Sequence, residues 1–482
     1  MMDAAIRESQ SAPELPAGLV ARFREILGAD GVIADAGSLL PYEADGLTAH
    51  RALPGMVLLP RDTAETAAVV RLLSDAGLAF VARGAGTGLS GGALALDRAV
   101  VVSAARLRRI LELDAPNRRA RVQAGVVNLD LSAGAAPHGL HYAPDPSSQT
   151  VCTIGGNVAE NAGGPHCLKY GVTTNHILGM TVVLPDGEVV RLGGARGEDA
   201  GLDLTGLFVG SEGTFGIATE IDVRLVPLPE SVETLAALFD DVDEASGAVS
   251  AIIGAGLLPA ALEMVDREAI RAVEASAYAA GLPTDVAAAL VIEFDGPTGA
   301  VSADAERAAE LCRRGGARSV QRAADAADRQ RLWYARKKAF GAMGRLAPDV
   351  LVQDATVPRS RLPAVLREIY AIAGRYDLRM CNMFHAGDGN LHPTIVFDRR
   401  DRELVARVES ASREMMHACV AAGGTITGEH GVGIDKRAYM GMVFGDAEIA
   451  LLRDVRRVFD PRGLANPGKV LPDAPPAARG AA

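Results

Sequence analysis

Arg83-Gly-Ala-Gly-Thr-Gly-Leu-Ser-Gly-Gly92 follows an apolar run at 78–82, and glycine fills positions 84, 86, 88, 91 and 92. Ordering so many glycines behind a buried strand is entropically costly, so the loop must do something in return. Within it Gly86-Thr87-Gly88-Leu89-Ser90-Gly91 fits the dinucleotide fingerprint G-x-G-x-x-G, and Glu112 lies about twenty residues on. That fingerprint needs a helix opening directly after the loop. Only residues 92–98 separate this loop from the next expected strand, at 99–103, too few for a crossover helix. The Rossmann reading therefore fails on context. What remains is a glycine-dense loop whose backbone N–H groups can cup a pyrophosphate between two strands.

Two further loops share this character. Pro144-Asp145-Pro-Ser-Ser148 leads into Thr153-Ile-Gly155-Gly156-Asn157-Val-Ala-Glu-Asn161-Ala-Gly163-Gly164. Later comes Gly210-Ser-Glu212-Gly213-Thr-Phe-Gly216-Ile217. Three such loops suggest a long, polyphosphate-containing ligand lying across several of them. Around them the pattern alternates. A helix is expected over 16–27, ending at Gly28, and another from a cap at Asp62, with Glu65 completing a capping box. Hairpins are expected at 110–114/119–124 and 181–184/188–192, with alternation returning at 218–226. Residues 1–15 read as a loose tail.

Pro227 and Pro229 mark a boundary, beyond which the texture changes. Alanine-rich helices (244–255, 267–280, 303–314, 325–343) alternate with single strands (289–294, 350–353, 378–383, 394–397), an α+β pattern. The length of 482 residues suits two to three domains at about 150 residues each. The net charge is −11 and no basic patch stands out, which argues against nucleic acid. The five cysteines are scattered, with no C-x-x-C pair, so neither a disulfide framework nor an iron–sulfur cluster on this chain is expected. The most apolar long stretch, 248–262, is interrupted by Ser250, Gly254, Gly256 and Pro259 and falls short of the ~20 residues that span a bilayer. A buried helix is expected there. With no basic, apolar leader at the start, a cytoplasmic protein is expected.

The loops at 83–92, 142–148, 155–157 and 210–213 resemble the FAD-binding loops of the vanillyl-alcohol-oxidase-type flavoproteins. The resemblance runs from about residue 20 to 473. It is strongest to the FAD-linked 2-hydroxy-acid dehydrogenases, in the branch that holds the FAD-linked subunits of bacterial glycolate oxidases. It implies a two-domain FAD-binding fold with an α+β substrate or cap domain: residues 16–228 for FAD, 229–430 for substrate and metal, 431–473 returning to the FAD domain, and a tail at 474–482. It implies that Arg83, Gly84, Gly86, Thr87, Gly88, Ser90 and Gly91 serve the pyrophosphate. Pro144, Asp145, Ser148, Gly155, Gly156, Asn157, Asn161, Gly163, Glu212, Gly213, Gly216, Ile217 and Asn466 would complete the cofactor site. Some relatives attach FAD through a histidine in the glycine loop; residues 83–92 have none, so non-covalent FAD is expected.

His385-Ala-Gly-Asp388-Gly389-Asn-Leu-His392 is the most specific signal in the chain. Asp-Gly between apolar runs predicts a two-residue hairpin turn. His385 and His392 then stand directly opposite, with Cβ atoms roughly 4.5–5.5 Å apart. Glu429, in Gly428-Glu429-His430-Gly431, is a third ligand candidate. Two histidines and one carboxylate suit divalent zinc, iron or manganese with positions left open. The resemblance implies the same three ligands and makes His430 the general base. Adjacent residues in extended chain point apart, so Glu429 and His430 need the flanking glycines to bend the backbone.

On the helix expected near 325–343, Leu332, Arg336, Phe340 and Met343 form one stripe. Arg331, Lys337, Lys338 and Arg345 fall elsewhere and are expected in solvent. A guanidinium in an apolar face needs an anion: a substrate carboxylate, as the resemblance implies, or an internal Asp or Glu. Relatives acting on five-carbon diacids carry extra basic residues shortly after; here 350–354 holds no lysine. The expectation is oxidation of a small 2-hydroxy acid, glycolate to glyoxylate, with D-lactate next. The other classes weighed are a non-catalytic flavin subunit that relays electrons and a nicotinamide-dependent dehydrogenase. The resemblance also implies partner subunits, an iron–sulfur protein and a second flavin-type chain, and through them a place at the inner face of the cell membrane.

Overall fold

A computed structural model describes residues 18–194 and 201–473. The two expected tails and the start of the first helix lie outside these residues. The first helix is Leu19–Leu27, closed by Gly28 at φ 76°. Thr63–Asp75 is the second long helix. Asp62 caps it by accepting from Glu65 N at 2.9 Å. Glu65 does not return the bond to Asp62; its carboxylate takes the N–H and guanidinium of Arg61 instead.

Two sheets carry the glycine loops. A four-stranded sheet runs in the order Val32–Ile33, Met56–Leu58, Val100–Ser103, Phe80–Arg83. Its last two strands are parallel, yet joined by the glycine loop and one 3-10 turn at Leu96–Arg98, with no crossover helix. A five-stranded antiparallel sheet runs Ile110–Asp114, Arg119–Gln123, Ile217–Arg224, Ile177–Val183, Val189–Gly193. Both expected hairpins are in it. The chain end adds to the first sheet: Phe80 N donates to Leu464 O and Asn466 N donates back to Phe80 O.

A seven-stranded sheet forms the second body, in the order Ser319–Arg322, Ser231–Phe239, Ala288–Gly296, Ala261–Asp266, Met380–Phe384, Pro393–Phe397, Asp349–Val352. Helices Val242–Gly254, Thr298–Arg314, Leu362–Arg375 and Arg402–Ala421 cover one face. Arg267–Glu274 and Ala326–Met343 cover the other. The buried helix expected over 248–262 is not one element: its start finishes helix Val242–Gly254, and its end opens strand Ala261–Asp266. Pro259 and the glycines at 254 and 256 make that break. The helix expected over 267–280 stops at Glu274, whose carboxylate turns back to the N–H groups of Ala280, Gly281 and Leu282.

Side chains alternate across strand Ala261–Asp266. Leu262 and Met264 enter one core and Val265 the other. Glu263 therefore points to the face beneath helix Ala326–Met343.

Candidate active site

A cavity of about 650 Å³ lies between the glycine loops and the seven-stranded sheet. Gly84, Gly86, Thr87, Gly88, Ser148, Gly156, Asn157, Gly163, Glu212 and Gly213 line one wall. Arg336, His385, His392, Glu429 and His430 line the other. Within the protein, the backbone N–H groups of residues 85–92 donate to no acceptor among the described residues. Residues 85–89 and 92 of this run lie on the cavity wall, so free donors line it, the arrangement that binds phosphate. At Gly84, where the loop begins, a side chain is excluded by contact: a Cβ would stand 2.5 Å from Thr153 Oγ1.

The remaining residues expected at the cofactor are placed differently. Arg83, Gly155, Gly216 and Ile217 line a smaller space of about 60 Å³ that shares Gly84, Gly156 and Gly213 with the first. Arg83 braces the loop by donating to Ala44 O at 2.7 Å. Ser90, Gly91, Pro144, Asp145, Asn161 and Asn466 lie off the main cavity. Ser90 O accepts from Ile434 and Asp435, and Gly91 lies against Ile434. Pro144 O accepts from Asn128, Asp145 holds His166, and Asn161 Oδ1 accepts from Thr174 N. Asn466 donates to Gly92 O and Glu212 O, tying the chain end to two loops. Glu212 reaches the cavity, yet its carboxylate accepts from Val432 N and Gly433 N, both at 2.7 Å.

The histidine hairpin has a different turn from the one expected. Met380 faces Ile395, Cys381 faces Thr394, and His385 bridges to Asn390. The turn is thus four residues, 386–389, and His385 does not face His392. Asp388 Oδ1 accepts from Asn390 N at 3.1 Å, a side-chain turn that lengthens the loop. The histidines still meet, because diagonal neighbours on one face are within reach of long side chains. Their ring centroids are 5.2 Å apart.

Glu429 Oε1 lies 3.1 Å from Nε2 of both His385 and His392. These three side chains bring ligand atoms within 4.8 Å of one another. Each imidazole is oriented from behind: His385 Nδ1 contacts Glu263 Oε1 at 2.8 Å, and His392 Nδ1 donates to Gln353 O at 3.3 Å. Both Nε2 atoms are left facing Glu429, as a metal site requires. Burial would raise the Glu429 carboxyl, but His385 and His392 outweigh it and hold it well below the usual range.

Asp354 resolves how Glu429 and His430 both turn inward. Its fully buried carboxylate accepts from the N–H groups of Gly428, Glu429 and His430 and from Thr427 Oγ1. This curls the segment around one anion. Lys436 Nζ, at 2.9 Å, balances the charge, and Asn390 Nδ2 ties it to the hairpin. Asp354, His392 and His430 also meet the distance condition for an ion, but the Asp354 oxygens are already occupied. His430 stacks on His392 at 4.9 Å and 3°, with Nε2 3.8 Å from Glu429 Oε1. Burial pushes its pKa down to about 4, so it is neutral near pH 7.

Arg336 is 5% exposed, as are Leu332 at 4% and Met343 at 0%; Phe340, expected in the same stripe, is 42% exposed at the cavity edge. Lys337 and Lys338 are not simply solvated. They line the cavity, one over Trp333 and the other over Tyr278 and Tyr334. Arg336 already has an internal carboxylate, with Nη2 2.6 Å from Glu263 Oε2. Its Nε is buried without a partner.

Residues 54–193 match the FAD binding domain family, and residues 228–470 match the C-terminal domain of the FAD linked oxidases. The chain is 47% identical over 434 residues to the glycolate oxidase subunit GlcD of Escherichia coli (strain K12), covering 90% of this chain and 87% of that one. It is 43% identical over 438 residues to GlcD of Bacillus subtilis (strain 168), covering 91% and 93%. The chain belongs to the FAD-linked oxidases. A D-lactate dehydrogenase of Anaerostipes hadrus is 34% identical over 430 residues, covering 87% and 90%. Among solved structures, p-cresol methylhydroxylase with substrate bound superimposes with TM-score 0.78 at 16% identity, covering 94% and 96%. Alkyldihydroxyacetonephosphate synthase gives 0.76 at 18%, covering 98% and 88%. These show the fold, the two-domain vanillyl-alcohol-oxidase type. In this FAD-linked oxidase the free N–H groups of 85–92 belong to the FAD-binding domain.

Two residues behind the second wall escaped the sequence reading. Glu263 is a lone acid in Ala-Ala-Leu-Glu-Met-Val, and Asp354 ends the apolar Val-Leu-Val-Gln-Asp. A single charge inside an apolar strand was the available signal for both.

Proposed function

We propose that this chain oxidises a small 2-hydroxy monocarboxylate, glycolate, to the 2-oxo acid, glyoxylate, with FAD held non-covalently. One observation carries the reading: a buried arginine with an unpartnered Nε lines the same cavity as the His-His-Glu cluster and the free N–H groups of the glycine loop. The names of the relatives, glycolate oxidase subunits and a D-lactate dehydrogenase, support it. We assign residues 16–228 to cofactor binding, 229–430 to substrate, 431–473 to the returning segment and 474–482 to a tail.

Arg336 grips the substrate carboxylate through charge-assisted hydrogen bonds. Val352 lines the cavity from the lysine-free stretch 350–354, so no second cation from there meets a longer diacid. His430, neutral and held by Asp354, takes the hydroxyl proton at Nε2. A divalent zinc, iron or manganese ion on His385, His392 and Glu429 would polarise the hydroxyl and lower its pKa. FAD, when bound, supplies the acceptor for two electrons and the Cα hydrogen. Among the described residues no helix is long and apolar enough to cross a membrane. Electrons pass to partner subunits, an iron–sulfur protein and a second flavin-type chain, at the inner face of the membrane; the word subunit in the relatives' names supports the existence of partners.

Anaerobic bleaching of the flavin by glycolate, D-lactate, L-lactate and D-2-hydroxyglutarate tests the proposal. Glycolate should bleach fastest. Faster bleaching by D-lactate would make the chain a D-lactate dehydrogenase, and no bleaching by any would leave a relay subunit.

A further inference from the structure

We infer that Glu263 is a positioning residue shared by the imidazole of His385 and the guanidinium of Arg336, one carboxylate oxygen orienting the first for the metal and the other anchoring the second for the substrate carboxylate. The inference rests on the proposed roles of those two side chains. It begins in the sheet. Strand Ala261–Asp266 pairs antiparallel with Met380–Phe384, with Met264 opposite Phe384 and Val265 opposite Met383. One step further along, Glu263 stands opposite His385. Cross-strand neighbours on one face are within contact distance. That face is the one covered by helix Ala326–Met343, which carries Arg336.

The carboxylate is wholly enclosed, with 0% of its side chain exposed. Its two oxygens are divided between the two functional groups. Oε1 is 2.8 Å from His385 Nδ1, and Oε2 is 2.6 Å from Arg336 Nη2. A buried carboxylate so placed is stable only with both partners present. Accepting from Nδ1–H fixes the tautomer of His385 and leaves the Nε2 lone pair for an ion. Holding Nη2 anchors Arg336 at the cavity wall and leaves Nε, buried and unpartnered, for an incoming anion.

The isosteric amide separates these duties. A carboxylate accepts on both oxygens, whereas glutamine accepts on one and donates from the other. If its NH2 faces His385, the imidazole proton moves to Nε2 and blocks the ion. If its NH2 faces Arg336, two donors confront each other and the guanidinium is released. Either way one group loses its orientation.

The test uses the FAD-loaded chain, stripped with chelator and titrated with zinc, alongside KM and kcat for glycolate. Glu263→Gln should weaken zinc about 10–100-fold, or raise KM to the level of Arg336→Lys, with the flavin spectrum unchanged. Arg336→Lys alone should leave zinc affinity at the wild-type value. Where Glu263→Gln raises KM, the double variant should have a KM no worse than the poorer single variant, because both changes then disable one unit. Wild-type zinc affinity together with wild-type KM in Glu263→Gln overturns the shared role, as do KM effects that multiply in the double variant when Glu263→Gln leaves zinc affinity unchanged. If Glu263→Gln loses FAD through misfolding, Glu263→Asp keeps the charge but withdraws it from both partners. A folded Asp variant with wild-type zinc affinity and KM overturns it equally. Failure of the wild type to bind zinc or to be bleached by any hydroxy acid would instead defeat the functional reading itself.

Discussion

The two walls of the cavity are made of different material. The cofactor wall is largely backbone: free N–H groups over residues 85–89 and 92, with Gly84 and Gly86 where a Cβ would collide. The opposite wall is side chain: His385, His392, Glu429, His430 and Arg336, each held by another residue such as Glu263 or Asp354. The backbone stretch of the cofactor wall is damaged chiefly by adding atoms or changing φ. A side-chain wall fails when one of its members is shortened. Cofactor retention and turnover should therefore be separable by mutation.

The largest effect expected is on the side-chain wall. His385→Ala removes one of the three groups around Glu429 Oε1. Metal-ion polarisation is worth several kcal/mol of transition-state stabilisation, so turnover should fall by about a thousandfold. The flavin spectrum should not change. Loss of FAD in this variant would show that the walls are not independent.

The next effect strikes the backbone wall. Gly86 has φ +73°, and a Cβ there would crowd the Arg83 guanidinium, 2.6 Å from Cζ. A left-handed alanine costs about 1–2 kcal/mol, and displacing the Arg83 hydrogen bond to Ala44 O adds about 1 kcal/mol. Gly86→Ala should therefore weaken FAD by roughly 30–150-fold, read by flavin release on dilution. Zinc affinity of the residual protein should match wild type. Unchanged FAD affinity would mean that the glycine loop is not the cofactor cradle.

The same contrast explains what was legible from residue order. Glycines can be counted, and the distance to the next strand excluded a Rossmann helix, so the backbone wall was readable locally. The hairpin shows how an error can be harmless. The turn proved to be four residues, not two, which moves the facing partner of His385 from His392 to Asn390. A shift of two positions preserves the face, because strand side chains repeat every two residues. The pair therefore met despite the wrong register. Glu263 was beyond reach for another reason. Its contact with His385 depends on strand Ala261–Asp266 lying beside Met380–Phe384, across more than a hundred residues of chain. No local pattern contains that adjacency. Arg336 lay between these cases: helical spacing showed it buried, but its carboxylate partner became visible only with the sheet.

The smallest effect concerns the seam where the walls join. His166 follows the second glycine-rich loop, and its Nδ1 contacts Asp145 at 2.8 Å. Its Nε2 reaches Glu293, on strand Ala288–Gly296 of the other body, at 3.1 Å. Trp333 stacks on the ring at 5.6 Å and donates its own N–H to Glu293. Burial alone would lower the His166 pKa, but Asp145 and Glu293 outweigh it and push it up to about 10. A free histidine titrates near 6.5. Because the folded value is the higher one, the stabilisation is complete below about pH 6.5 and is lost as the pH rises through about 10. Wild type should thus lose stability between pH 7 and 10 through this group. His166→Gln has no proton to lose there, so its urea midpoint should start lower at pH 7 and decline less steeply. Equal slopes for the two proteins would mean that the bridge does not hold the two bodies together, and that the seam depends on packing alone.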